Sequence, residues 1–304
     1  MDWNRLKIFH TVFESRSFSG AAQALGLSQS SVSRHIRYLE DHLQIPLFFR
    51  QTNGIIPTEQ AEFLYETTQD IWSRLAFVET LLNDGRDMPQ GVLRIVAPPA
   101  FSVFALSYHL PTFLKRYQDL SIELILDQYS QHVSDFRETD AVIHTEPTFF
   151  AGITSVSILE QTTGIYASRT YLKEHGAPYK PQHLNQHRLI CFDEDYPLPF
   201  PRYNLLLELG AETDHPRHPF FKINDLLGIA KAVQEGLGIA LLTPLIASNL
   251  PDVVQILPEV STPILNFRLS YPEQLRKTPR IEAFQEFILE VCASLSATLP
   301  NATA

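Results

Sequence analysis

The sequence has few of the features that mark secreted, membrane-bound or disulfide-rich proteins. Its 304 residues include only two cysteines, Cys191 and Cys292, so no disulfide framework is predicted and a reducing compartment is expected. No apolar run approaches the length of about 18 residues that a membrane-spanning helix requires. Charged residues interrupt every apolar stretch at the N-terminus, which argues against a signal peptide. We therefore expect a cytoplasmic protein.

The common signatures of enzymes and metal proteins are also missing. The sequence contains no P-loop, no dinucleotide fingerprint, no nucleophile elbow and no zinc-ligand spacing. We accordingly predict no catalytic residue, no metal and no cofactor.

Charge is unevenly distributed along the chain. The formal net charge is −10, yet residues 1–58 contain six Lys/Arg and four Asp/Glu, which gives this segment +2 and the remainder −12. A basic head on an acidic body indicates a polyanion that binds at one end only. The length of 304 residues and the hydrophobic content of 44% predict a folded protein with about two domains.

Residues 1–58 are predicted to form three short helices and then two extended pieces joined by a tight turn. Apolar residues at helical spacing define the first helix. Ser19 is the expected cap of the second helix, which Gly26 ends. Ser28 is the expected cap of the third helix, which runs to about Leu43.

The third helix has an apolar row and, opposite it, a row of serines and arginines. A helix of this kind, placed after a short helix and a glycine turn, is typical of the DNA-reading helix of a helix-turn-helix. Arginine reads guanine, glutamine reads adenine, and small hydroxyls bind phosphate. The candidate DNA-contacting residues, of which the last two lie at the tight turn, are Gln29, Ser30, Ser31, Ser33, Arg34, Arg37, Arg50 and Asn53. The alternative is a solvated helix face followed by an ordinary surface turn.

A long helix is predicted from Thr58 to about Asn83. Its apolar residues recur in alternating steps of four and three, interrupted once by Thr68, which is the pattern of a coiled-coil seam. The predicted dimerisation residues are Leu64, Ile71, Leu75, Val78 and Leu82. The alternative is a helix packed on its own domain.

After a linker at 88–91, short apolar strands alternate with helices. This alternation predicts βαβ units and mostly parallel sheets, and the length of the segment favours two lobes.

The head is similar to the N-terminal signature of LysR-type transcriptional regulators. The residues that carry the resemblance are Phe9-x-x-Val12, Ser17-Phe18-Ser19-x-Ala21-Ala22-x-x-Leu25, Ser28-Gln29-Ser30-Ser31-Val32-Ser33-Arg34-x-Ile36, Leu39-Glu40 and Leu47-Phe48-x-Arg50. The resemblance implies an α/β protein with a winged helix-turn-helix, a dimerising linker helix and a two-lobed α/β body like periplasmic binding proteins. A small effector between the lobes would change how a tetramer holds DNA.

The implied domains are a DNA-binding domain at 1–58, a linker and dimerisation helix at 59–88, and an effector-binding domain at 89–304. Within the last, one lobe covers about 92–163 and 264–304, and the other about 164–263.

Some positions depart from the family pattern. Gln44 stands where the family usually has glycine, and Pro57-Thr58-Glu59-Gln60-Ala61 replaces its usual Leu-Thr-x-x-Gly. We expect these changes to alter only the local geometry of the wing and linker. Peroxide-sensing members use two cysteines close in sequence, whereas Cys191 and Cys292 lie about a hundred residues apart, so both are interpreted as packing residues.

Ligands of parallel α/β sheets bind where strands end and helices begin. Two such junctions, together with the segments that the resemblance implies, give the candidate effector-binding residues Ala100, Phe101, Ser102, His144, Thr145 and Asn224. The alternative for each is helix capping or core packing. The family often has arginine where His144 stands, so a strongly acidic effector is less favoured.

The sequence therefore predicts a transcriptional regulator whose binding to promoter DNA depends on a small-molecule effector. Its expected partners are double-stranded DNA, the effector and further copies of itself, without a membrane. Two alternatives remain at this point: an α/β enzyme with a fused DNA-binding head, and a solute-binding protein without a genetic role.

Overall fold

The chain folds into two compact units, Met1–Asn83 and Asp84–Ala304. The computed structural model describes residues 2–51, 54–65, 67–68, 71, 88–127, 136, 139–145, 151–211 and 217–299, with the backbone alone at Arg50 and Gln51. Within these residues, no helix combines the length and the apolar character that crossing a bilayer requires. The candidates Asn53, Leu75, Val78 and Leu82, and the side chain of Arg50, lie outside the described residues.

The first unit, called the head, consists of helices around a small core and a two-stranded hairpin. In chain order its elements are α1 (Trp3–Ser15), α2 (Phe18–Leu25), α3 (Gln29–Leu43), β1 (Phe48–Gln51), β2 (Gly54–Pro57) and α4, which is helical at 59–65, 67–68 and 71. Phe9, Val12, Val32 and Leu47 are fully buried at the centre. The rings of Phe9 and Phe48 pack with centroids 5.6 Å apart, which fixes the hairpin against α1.

Capping side chains set the helix boundaries in the head. The prediction that Ser19 caps α2 was wrong: Ser17 is the cap, because its backbone is extended and its hydroxyl accepts from the amide three residues later at 3.2 Å. Ser28 caps α3 as predicted, with 3.2 Å between its Oγ and the amide of Ser31. Gly26 ends α2 in the left-handed conformation, with φ of 64°, also as predicted.

The end of α3 is held by two polar side chains. Glu40 Oε1 accepts from the amides of Leu47 and Phe48 at 2.7 and 3.2 Å, so one carboxylate joins the helix to β1. Gln44 follows the helix in the left-handed conformation, with φ of 57°, and its Nε2 donates to the carbonyl of Asp41 at 2.6 Å. A residue with a Cβ pays a steric cost in this conformation that glycine does not.

The second unit, called the body, alternates strands and helices. In chain order its elements are β3 (Gly91–Ala97), α5 (Pro99–Phe101), a π-helical turn (Ser102–Leu106), α6 (Ser107–Arg116), β4 (Leu120–Leu126), β5 (Ala141–His144), β6 (Ile153–Thr162), β7 (Gly164–Ser168), α7 (Arg169–His175), β8 (Ile190–Phe192), β9 (Phe221–Ile223), α8 (Leu226–Gln234), β10 (Ala240–Leu242), α9 (Pro244–Ala247), β11 (Val253–Ile256), β12 (Ile264–Pro272) and α10 (Pro279–Thr298).

The described sheets of the body fall into two lobes. The first lobe holds the order β4-β3-β5-β12-β6, in which β3 is parallel to β4 and β5 while β12 is antiparallel to β5 and β6. In the second lobe β7 pairs antiparallel with β10 and β11, and a parallel bridge between Leu189 and Ile239 connects β10 to the parallel pair β8-β9.

The prediction of mostly parallel sheets was therefore wrong. The sheet of the first lobe is mixed, the sheet β10-β7-β11 is antiparallel, and of the described sheets in the body only the pair β8-β9 is wholly parallel. The physical reason in the first lobe is that β12 returns from the second lobe and enters between β5 and β6 in the opposite direction.

The chain passes between the lobes twice, and the two crossings are bonded to each other. The amide and the Oγ1 of Thr163 both donate to the carbonyl of Pro263 at 2.9 Å. Thr262 Oγ1 donates in turn to the carbonyl of Thr163. The lobes are thus joined by two adjacent strands of chain, a geometry that permits hinge motion.

We predict that Gln44→Gly stabilises the head relative to Gln44→Ala by about 1 kcal/mol, because only glycine relieves the left-handed strain. Both changes remove the bond from the side chain to Asp41, so their difference isolates the backbone. Denaturant titration followed by far-UV circular dichroism measures it. Equal midpoints for the two variants would contradict the assignment of strain to this position.

Candidate functional site

Helix α3 has one buried face and one exposed polar face. Val32, Ile36 and Leu39 are at most 2% exposed and belong to the core of the head. On the opposite side, the exposed candidates are Gln29, Ser30, Arg34 and Arg37, while Ser31 and Ser33 are half-buried at the edge of this surface. The structure thus brings six of the eight predicted DNA-contacting residues together on one helix.

The start of α3 presents oriented polar groups. Ser28 Oγ accepts from the amide of Ser31 and lies 3.0 Å from Ser30 Oγ. The amides of Gln29 and Ser30 occupy the first positions of the helix, where backbone donors have no acceptor within the helix. Such donors, together with the helix dipole, favour a phosphate.

The arginines of the head serve two different purposes. The guanidinium of Arg5 lies 5.3 Å from the ring centroid of Tyr38, and that of Arg16 lies 4.3 Å from the ring of Phe13, so both stabilise local packing. Arg34 and Arg37 make no ion pair or side-chain hydrogen bond with any other residue that the structure describes. Their charges remain available to an external anion.

The hairpin carries one further candidate, Arg50. Arg50 pairs with Ile55 through the β1-β2 ladder, so its backbone position is set, although its side chain lies outside the described residues. Asn53 lies outside them entirely.

The beginning of α4 packs against its own head. Thr58 Oγ1 donates to the carbonyl of Pro46 at 2.9 Å and accepts from the amide of Ala61, which caps the helix. Tyr65 stacks on Phe13 with ring centroids 4.0 Å apart. Of the predicted seam, Leu64 is partly buried against the core of the head, whereas Ile71 is 40% exposed.

A cavity lies between the two lobes of the body. It contains about 600 Å³ of space, counted to include the part open to solvent, and the first lobe and the second lobe both line it. The lining residues are Pro98, Pro99, Ala100, Phe101, Thr145, Leu265 and Phe267 from the first lobe, and Pro199, Phe200, Leu226, Thr243, Leu245 and Ile246 from the second.

Three of the predicted effector residues, Ala100, Phe101 and Thr145, line this cavity, and the other three do not. His144 is 1% exposed, and its Nε2 lies 2.7 Å from Ser270 Oγ in β12. Ser102 is also 1% exposed and follows the lining residues at the π-helical turn.

Asn224 is half-buried and precedes Asp225, the cap of α8, whose carboxylate accepts from the amide of Gly228 at 2.6 Å. It therefore lies beside a helix start without lining the cavity.

Sequence reasoning missed most of the second lobe's wall. Thr243 had a detectable signal, because Thr243-Pro244 directly after a strand is a cap followed by a favoured first helical residue, and Thr243 Oγ1 accepts from the amide of Ile246 at 3.3 Å. Phe267 had no such signal in the sequence. It lies within β12 at a bulge in the pairing with β6, and no local sequence pattern indicates that bulge.

Both thiols of the body are buried and poorly reactive. Cys191 and Cys292 are at most 2% exposed, and burial raises the pKa of each thiol to about 12. The negative charge of Glu194 adds to the shift at Cys191. A thiol with such a pKa is almost wholly protonated near neutral pH, so it is a poor nucleophile. No group of metal-ligating side chains is found among the described residues.

We predict that thiol reagents leave the native protein unlabelled at pH 8, because roughly one thiol in ten thousand is ionised there. Ser294→Cys supplies the control, since this exposed position lies on the same helix as Cys292. Mass spectrometry should show labelling of the Ser294→Cys thiol alone, and of all thiols after denaturation. Rapid labelling of native Cys191 or Cys292 would refute the prediction.

Comparisons with known proteins give a consistent result over most of the chain. The family model for the bacterial regulatory helix-turn-helix protein, lysR family, matches residues 3–62, and the model for the LysR substrate binding domain matches residues 86–293. The regulator CrgA of Neisseria meningitidis serogroup C is 25% identical over 94% of this chain and 95% of its own. The transcriptional activator AaeR of Escherichia coli K12 is 27% identical over 78% of this chain and 75% of its own.

A solved structure supports the same fold. The full-length virulence activator AphB of Vibrio cholerae superposes with a TM-score of 0.61 at 24% identity, covering 95% of this chain and 99% of AphB.

Proposed function

Because the chain belongs to the LysR family of DNA-binding transcriptional regulators, which carry a helix-turn-helix and an effector-binding domain, we propose which residues perform each task. The exposed face of α3 reads promoter DNA, and the cavity between the lobes binds the effector. The observation that carries the first assignment is the row of hydroxyl and guanidinium groups opposite the buried row of α3. The family consists of regulators, which leaves no support for the enzyme alternative.

The reading of DNA follows from the shape and charge of α3. A helix of 15 residues is about 22 Å long and enters the major groove of B-DNA, which is about 12 Å wide. Arg34 and Arg37 lie on the exposed face near its middle and reach base edges or phosphates. Gln29 and Ser30 at its start contact the backbone or an adjacent base, and Ser31 and Ser33 permit close approach. Arg50 and Asn53 contact the flanking backbone from the hairpin.

The domain boundaries in this proposal are those indicated by the sequence. Residues 1–58 bind DNA, residues 59–88 link the units and pair with a second copy, and residues 89–304 bind the effector. Self-association places two basic heads on one DNA site, which raises the weak attraction of a single +2 head. Since the chromosome of a bacterium lies in the cytoplasm, the protein acts there.

Effector binding can alter the body because the cavity has walls from both lobes. A ligand that contacts Ala100 and Phe101 on one side and Leu226 and Ile246 on the other binds most tightly when the lobes are closed around it. It therefore shifts the population toward the closed arrangement by the difference in its affinity for the open and closed arrangements. The adjacent crossings at Thr163 and Pro263 are the proposed hinge.

We predict that Arg34→Ala reduces discrimination between the promoter site and a single-base variant by about 1–3 kcal/mol if Arg34 reads a base edge. Arg276→Ala is the matched control: it removes an exposed arginine of the body that pairs with Glu273 at 3.3 Å. Fluorescence anisotropy at several salt concentrations measures both. An equal loss on all DNA sequences would make Arg34 a phosphate contact, and no loss at all would sink the proposed role of α3.

We predict that Ile71→Glu weakens self-association about 100-fold, because it buries an unpaired carboxylate in the proposed seam. Phe63→Glu adds the same charge at an exposed position outside the seam and should leave association unchanged. Sedimentation equilibrium compares the two. Equal dissociation constants would show that α4 does not pair through this row.

A further inference from the structure

The cavity between the lobes has no charged side chain in its lining, as far as the described residues go. Its walls are proline, alanine, leucine, isoleucine and phenylalanine, with two threonines as the polar members. Aromatic rings form two of its boundaries, since Phe267 packs on Phe101 with centroids 5.0 Å apart and Phe200 packs on Tyr203 at the same distance. Such walls favour apolar ligand surface.

Among the helices that begin at the cavity, α5 has fewer amide donors than an ordinary helix start. Pro98 is the cap and Pro99 the first residue of α5, so neither position carries an N–H group. The amide of Ser102 already donates to the carbonyl of Pro98 at 2.9 Å. Two of the backbone donors that would otherwise hold a carboxylate at such a helix start are thus absent.

Two basic side chains on the sheet of the first lobe, His144 and Arg268, are engaged away from the lining. His144 Nε2 lies 2.7 Å from Ser270 Oγ, and Ser270 Oγ donates to Ser155 Oγ at 2.9 Å. Arg268 Nε also donates to Ser155 Oγ, at 2.9 Å. This chain of bonds ties the imidazole and the guanidinium to the pairing of β5, β12 and β6, and neither residue lines the cavity.

The two threonines differ in what they offer a ligand. The hydroxyl of Thr243 accepts from the amide of Ile246 and caps α9. Thr145 Oγ1 donates to the carbonyl of Pro199 across 3.5 Å, a long contact that a better acceptor displaces readily. Thr145 is therefore the hydroxyl that a bound molecule engages without disturbing a helix cap.

We propose that this cavity binds an uncharged, largely apolar small molecule with one hydrogen-bonding group, which contacts Thr145, and that it discriminates against carboxylates. The inference rests on the proposed function, in which this cavity is the effector site. A carboxylate bound here loses its hydration and finds no cation among the described lining residues, whereas a neutral analogue of the same skeleton keeps its apolar contacts at little desolvation cost.

The test compares matched pairs of probes on the full-length protein. Benzyl alcohol and benzoate, indole and indole-3-carboxylate, and methyl hexanoate and hexanoate share skeletons and differ in charge. Ligand-observed NMR and calorimetry should show each neutral member binding at least about tenfold more tightly than its acid at neutral pH. Ala100→Trp fills the cavity from the first lobe and should abolish this binding. Leu226→Trp does the same from the second lobe if the first variant is unstable.

A charge introduced into the lining tests the cause of the selectivity. Thr145→Lys should reverse the preference toward the carboxylates, while Thr298→Lys, which adds the same charge at an exposed position of α10, should leave it unchanged. Tighter binding of the carboxylates to the wild type, blocked by Ala100→Trp, would overturn the inference and leave the effector site intact. If neither tryptophan variant changed the binding of any probe, the cavity would not be the ligand site, and both proposals would fail.

Discussion

The anchoring of α3 through its apolar row is the interaction on which the proposed DNA-reading surface depends. Val32, Ile36 and Leu39 are buried in the core of the head, and each contributes roughly 1.5–3 kcal/mol on burial. In this short helix, one face packs into the core and the opposite face is left for contact with DNA. Because residues three and four apart share a face, fixing the apolar row also fixes the direction of Arg34 and Arg37. Glu40 adds to this rigidity, since its carboxylate holds the following strand.

In the body, the cavity is built from residues that are distant in sequence. The wall of the cavity comes from the ends of β3 and β5, from the starts of α8 and α9, and from the middle of β12. Strand β12 is the decisive element, because its return from the second lobe completes the first sheet and delivers Phe267 to the cavity. The double crossing at Thr163 and Pro263 joins the lobes at the proposed hinge, and the strand that follows it supplies Leu265 and Phe267 to the proposed ligand site.

Local chemistry determined which elements were predictable. The bounds of α3 were correct because a serine cap and the opposed apolar and polar rows are read from neighbouring residues. Strand β6 was not predicted: serine and threonine in its first half hide the alternation, although the strand spans ten residues. Its antiparallel partner lies about a hundred residues away, as does the hydroxyl of Ser270 that engages His144. Contacts at such separations leave no periodic signal in one sequence.

Apolar walls are sufficient to couple the cavity to a change between lobes. A ligand shifts an equilibrium only by the difference in its affinity for the two arrangements, and opening the lobes removes one wall from contact with it. Each 50 Å² of apolar surface exposed in this way costs about 1.3 kcal/mol, or nearly tenfold in affinity. Leu226, Leu245 and Ile246 are the aliphatic side chains that the second lobe contributes to this wall. An uncharged effector therefore needs no ion pair to favour closure, because the two-sided burial itself supplies the differential affinity.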